Sequence, residues 1–271
     1  MSYEMKASRG NPALIVPVLD DSGSQASHLA GTKDPRFAWV AHYMGAIFKL
    51  LLKRSTESDG DSSGVVKARY FVHTILYGSR PVMWGQECMD IEAAVLKYTG
   101  EGNTLGLGGL LGGTDGKAAL KMAYDFLTQA VQDPRFATSF PPMLFHMTDG
   151  ESHTDASPVA EQIKQLTTKD GNVLMVNAYI GTSTDLKYAG PDDFPGYVDE
   201  SDVGRSKDNL RLFNMSSVTP DCVHQYLVET SIFPQLRRGA RLFYDCRTKD
   251  MLQHIIQVVG SIEAKANRTR Q

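Results

Sequence analysis

Residues 13–24 read Ala-Leu-Ile-Val-Pro-Val-Leu-Asp-Asp-Ser-Gly-Ser: seven apolar residues followed at once by small polar ones. A continuous apolar run rich in β-branched residues, without alternation, predicts a strand buried on both faces, as in a parallel sheet. Pro17 has no N–H to give to a ladder and predicts a bulge within that strand.

Outward from this strand the pattern alternates between the two periods. Phe37, Val40, Ala41, Met44, Ile47, Phe48 and Leu51 fall at helical spacing across residues 35–53. Residues 55–64 (STESDGDSSG) are polar and turn-rich and predict a loop. A strand is expected over 65–77, a short one over 81–84, and helices over 90–98 and 115–131. Residues 143–147 form another apolar run that stops at Thr148-Asp149-Gly150. Ser157-Pro158 followed by Glu161 predicts a helix start with proline at the first helical position. Residues 173–180 read as a buried strand, 185–208 as a long surface loop, 211–215 as the last parallel strand, 241–245 as an extra strand and 251–262 as a closing helix. Such alternation predicts a doubly wound, mostly parallel α/β sheet flanked by helices. One domain over 11–217 is expected, with 218–271 as an extension packed on it. Ligands of such sheets sit at the carboxyl ends of the strands.

Composition narrows the function. Lys plus Arg number 28 and Asp plus Glu 31, for a net charge of −3, which gives no electrostatic reason to expect nucleic acid. No apolar run approaches the ~20 residues that span a bilayer, so no membrane segment is expected. Cys88, Cys222 and Cys246 are sparse, odd in number and far apart, which fits a reducing compartment and a cytoplasmic location. The basic stretch 265–271 reads as a solvated tail.

Several motifs are absent or incomplete. Gly106-Leu107-Gly108-Gly109-Leu110-Leu111 puts leucine where a dinucleotide fingerprint needs its third glycine. There is no phosphate-binding G-x-x-x-x-G-K-[ST] loop and no G-x-S-x-G elbow, and Asp20-Asp21 lacks the second aspartate of a phosphorylated-aspartate phosphatase. His146 and His153 flank Asp149 without a third ligand at zinc spacing, so each reads as a core or surface histidine.

Three strand or loop ends remain: Asp20-Asp21-Ser22-Gly23-Ser24, Gly112-Gly113-Thr114-Asp115 and Thr148-Asp149-Gly150-Glu151. Taken singly each has an ordinary use, as a strand-to-helix turn, a helix cap and a tight turn. Together they place small oxygen donors at one sheet edge, which suits a hard divalent cation. Asp20-x-Ser22-x-Ser24, then Thr114, then Asp149 resembles the metal-ion-dependent adhesion site of the von Willebrand factor A domain, here of stand-alone bacterial type. The resemblance spans residues 11–217. It implies direct ligation of Mg²⁺ (or Mn²⁺) by Ser22, Ser24 and Thr114, with Asp20 and Asp149 acting through water. It also implies a protein partner that supplies an Asp or Glu carboxylate, and no catalysis. Gln25, where the family often has an apolar residue, and a long stretch over 26–35 depart from the family pattern. The alternative is a metal-dependent hydrolase of phosphoesters with Asp21, Asp115, Glu151, His153 or Asp155 as base.

Overall fold

A computed structural model describes residues 3, 6–56, 65–182, 185–187 and 190–260. Among them the elements run β1 (Ala13–Asp20), α1 (Arg36–Thr56), β2 (Tyr70–Tyr77), β3 (Pro81–Asp90), α2 (Ile91–Gly100), α3 (Gly116–Ala130), β4 (Met143–Thr148), α4 (Ser157–Gln165), β5 (Leu174–Tyr179), α5 (Lys207–Met215), α6 (Asp221–Glu229), β6 (Phe243–Asp245) and α7 (Lys249–Gly260). The six strands lie in the order β3-β2-β1-β4-β5-β6. All neighbours are parallel except β2 and β3. The sheet is thus mixed, mostly parallel and covered by helices, as the alternation of periods requires.

Every residue of β1 is buried, as its unbroken apolar run demands. The bulge expected at Pro17 is absent: β1 keeps one offset to β2 from Ala13↔Tyr70 to Asp20↔Tyr77, and Pro17 itself pairs with Phe145. The irregularity lies one strand away. Val72 pairs with Met89 and Thr74 with Trp84, so residues 85–88 of β3 make an excursion opposite the single residue His73. Gly85 and Cys88 at its ends both have positive φ.

Helix α1 packs on α2 and α7, and α3 packs on α4, β1 and β2. From β1 the chain moves one way to β2, and later strands add on the other side of β1. The switch point therefore lies between β1 and β4, where a crevice opens beyond the carboxyl ends. Asp20 ends β1, and Asp149 follows β4 directly.

Four expectations need correcting. Residues 211–215 belong to α5, not to a strand, because Asn209, Leu212, Phe213 and Met215 share one buried helical face. β2 begins at Tyr70 rather than at 65. β3 continues past Trp84 to Asp90, beyond the excursion. The stretch 185–208 is not simply a surface loop: Leu186, Phe194, Tyr197 and Val203 are buried, and Phe194 contacts Phe233 and Tyr244 in an aromatic cluster. Helix α6 was not anticipated at all. Of the loop expected over 55–64, residues 55 and 56 finish α1 and the rest lie outside the described residues, as do 261–262 of the closing helix and the basic stretch 265–271.

Candidate metal centre

The carboxyl end of β1 turns into a 3₁₀ segment, Gly23–Ala26. Asp20 Oδ1 accepts a hydrogen bond from the Ser22 N–H at 2.9 Å, which curls the chain back over the carboxylate. That curl brings the hydroxyls of Ser22 and Ser24 to 3.1 Å from one another. Asp20 Oδ2 accepts from the Thr148 hydroxyl at 2.8 Å and so joins the ends of β1 and β4. Asp149, the next residue, accepts through Oδ1 from the Glu151 N–H at 3.2 Å.

A second loop closes the rim. Asp21 points away from Asp20, and its Oδ1 accepts from the N–H groups of Gly108 and Gly109 at 2.8 and 2.6 Å. The carbonyl of Gly112 accepts from Gly23 N–H at 2.9 Å. Gly112 has φ +77, and a Cβ there would stand 2.7 Å from Ser79 Oγ, so both backbone and space call for glycine. Two residues on is Thr114, buried, with its carbonyl accepting from His153 N–H. Asp115 then caps α3 by accepting from Ala118 N–H at 3.0 Å. At the other side Arg211 of α5 donates to the Gly150 carbonyl at 2.7 Å, steadying the turn after Asp149.

Asp20, Ser22 and Asp149 are buried, and Ser24 is half-buried. Asp149 retains only 5% of its surface. Burial pushes the Asp20 carboxyl up to about 7, the neighbouring Asp149 carboxylate pushes the same way, and hydrogen bonds from Ser22 and Thr148 oppose both. Two neighbouring buried carboxylates are relieved either by protonation or by a cation nearby. Arg36, the first residue of α1, supplies one: Nη1 lies 3.2 Å from Asp149 Oδ2 and 3.4 Å from the Ser24 carbonyl.

The donor set fits a hard dication: two adjacent hydroxyls, a rim threonine and two buried carboxylates. Among the described residues no three His, Cys, Asp or Glu side chains gather as metal ligands.

No protein-family model and no curated protein matches the sequence. Solved structures do match by fold. Pilus adhesin SpaC from Lactobacillus rhamnosus GG superposes with a TM-score of 0.56 at 14% identity, covering 95% of this chain and 31% of that one. Proximal thread matrix protein 1 from the mussel byssus gives 0.52 at 12% identity, over 94% of this chain and 46% of that one. A second form of the mussel protein, with a zinc-occupied metal-ion-dependent adhesion motif, gives 0.51 at 14% identity over 94% and 46%. The fold is von Willebrand factor A-like. This chain spans less than half the length of each of those chains.

Within this A-like fold, the geometry draws Asp20, Ser22, Ser24 and Asp149 into one hydrogen-bonded cluster and places Thr114 on the adjoining loop. Of the residues considered as hydrolytic bases, Asp21, Asp115 and Asp155 hold backbone N–H groups in place, and His153 is exposed with only its backbone engaged. His146 is a core residue: Nδ1 meets Asn177 Oδ1 at 2.8 Å and Nε2 meets the Tyr77 hydroxyl at 2.8 Å. Since the Asn177 amide donates to Leu212 and Ser216, the Nδ1–H tautomer follows, with Tyr77 donating to Nε2. Gln25 is fully buried with neither amide atom partnered.

Sequence reasoning did not single out Arg36 or Thr148. The signal for Arg36 is its burial, which only the fold reveals. A buried arginine in the first turn of a helix opposes the helix dipole and needs an anion from elsewhere.

Proposed function

We propose that this chain is a protein-binding module that holds Mg²⁺ (or Mn²⁺) at Ser22, Ser24 and Thr114, with Asp20 and Asp149 behind them, and captures an Asp or Glu carboxylate of a partner protein. The observation that carries this reading is the pair of hydroxyls 3.1 Å apart, set against two buried carboxylates at the switch point of the sheet. Neutral direct ligands leave a dication electrophilic, so an open position favours an anionic oxygen over water. Among the acids around it, Asp21, Asp115 and Asp155 are engaged by backbone N–H groups, which supports binding over hydrolysis. We place the protein in the cytoplasm on the strength of its three widely spaced thiols.

The test is a native partner isolated on the immobilised chain and its affinity measured in Mg²⁺ and in EDTA. Affinity that depends on the ion, fails in Ser24→Ala and fails when one acidic residue of the partner becomes alanine is the expected result. Equal affinity in both buffers would mean that recognition uses another face.

A further inference from the structure

We infer that Arg36 is the internal cation of this site, competing with the divalent ion for Asp149 and so setting how tightly the ion binds; this rests on the reading of the site given above. Arg36 retains 6% of its surface and Asp149 5%, and they meet at 3.2 Å. The guanidinium does not merely touch the carboxylate. Nη1 also reaches the carbonyl of Ser24, one of the two hydroxyl-bearing residues, so a single group spans both halves of the cluster. Its backbone is fixed by Arg36 N–H donating to the Ser27 carbonyl at 2.9 Å, directly after the 3₁₀ segment.

Two features argue that charge, not helix stability, put an arginine here. The first turn of α1 contains no acidic residue, and a cation at a helix amino end is unfavourable by itself. Nε, moreover, is buried without a partner, so the site tolerates an unsatisfied donor to keep the charge. Burial also denies Arg36 access to a partner protein. What it can reach is the Asp149 oxygen that the ion's hydration shell would need. A fixed positive charge a few ångströms from a dication lowers its affinity, and the lone pairs of Oδ2 cannot serve both fully. Asp149 thus exchanges one cation for the other, and the ion binds only at concentrations that overcome the guanidinium.

The experiment measures Mg²⁺ and Mn²⁺ affinity by calorimetry, and Tm in EDTA and in Mg²⁺, for the full chain and for Arg36→Met and Arg36→Gln. Glutamine keeps an N–H for Asp149 but carries no charge, so it stands in should methionine prevent folding. Expected for the uncharged variants is ion binding about tenfold tighter or more, a lower Tm in EDTA and a larger rise on adding Mg²⁺. Affinity unchanged or weaker in a folded uncharged variant, while the wild type still binds, overturns the inference: Arg36 would then only hold Asp149 in place. No binding by any of the proteins at millimolar ion overturns the site itself, and the inference with it.

Discussion

The carboxylate of Asp21 holds the backbone of Gly109, 88 residues away, at 2.6 Å, and that bond fastens the glycine-rich loop 105–113 to the strand that carries Asp20. Gly108 N–H shares the same oxygen, and Leu111 N–H reaches the Asp21 carbonyl at 3.2 Å. Burial raises the Asp21 pKa while the loop N–H groups oppose that rise, so the loop favours the charged form. The tip, Leu110, is 84% exposed beside the site.

Asp21→Ala should therefore lower stability by about 1–2 kcal/mol, the loss of two charge-assisted bonds to half-buried donors. Amide exchange should quicken at 108–111 while the amides of β1 stay protected. Unchanged protection across the loop would show that its own turns hold it.

Gly45 governs the contact of α1 with α2. A Cβ there would fall 2.1 Å from the Tyr98 hydroxyl, which donates to the Ala41 carbonyl at 3.1 Å. Gly45→Ala must displace a buried tyrosine, and despite its better helix propensity should cost about 2 kcal/mol or more. Urea unfolding measures this. Gly45→Ala with Tyr98→Phe should recover little, since the ring itself stands in the way; full recovery would locate the clash in the hydroxyl alone.

His73 should make stability fall with acid. Its ring stacks on Phe126 with centroids 3.7 Å apart, neither nitrogen has a partner, and burial lowers its pKa to about 4. The unfolded chain takes the proton near its ordinary value of about 6.5, so stability is full above that pH and declines as pH drops towards 4. The slope from one such group is at most about 1.4 kcal/mol per pH unit. His146, also lowered to about 4, acts in the same sense, while Asp20, raised to about 7, acts oppositely over the same range. The difference between wild type and His73→Phe isolates the residue. Between about pH 7.5 and about pH 5 the variant should lose less stability; parallel curves would mean that solvent reaches the imidazole.

The ion itself should raise Tm in wild type, by an increment set by RT ln(1 + [L]/Kd). Asp149→Asn should remove that increment. Asparagine is the milder probe: it keeps an oxygen that can accept from Arg36, whereas alanine removes the acceptor too, although both leave the guanidinium without this counter-charge, at a cost of up to about 3–5 kcal/mol. An undiminished Mg²⁺ shift in Asp149→Asn would place the ion elsewhere.

Much of this architecture was readable from local patterns. The run 13–19, the run at 143–147 and the Ser157-Pro158 start each specify one element with no help from the rest of the chain. The ordered donors Asp20, Ser22, Ser24, Thr114 and Asp149 could be aligned because all follow or precede such elements. What escaped depends on tertiary placement. Leu212 and Phe213 are adjacent apolar residues in both a buried strand and a short helix, and only Asn209 and Met215 on the same buried face decide for α5. In α6, Val223 and Leu227 give one i,i+4 pair, too little for a period. The Arg36–Asp149 pair spans 113 residues and leaves no trace in spacing. Phe194 and Tyr197 sit in a stretch rich in Pro, Gly and Asp, whose composition conceals that its aromatics anchor it inside.

The position of β1 at the middle of the sheet has a consequence during synthesis. Its partners arrive late: Ile15 pairs with Val72, 57 residues on, and with Met143, 128 residues on. At ribosomal speeds of about 5–20 residues per second, roughly 6–26 s separate the emergence of β1 from that of β4. Throughout that interval one edge of a strand that is apolar up to its last residue has no neighbour, and pairings so distant in sequence form slowly. The nascent chain thus carries β1 half-paired for longer than any other interior strand, and its yield in the cell should respond to chaperones that shield such segments more than to changes at the finished surface.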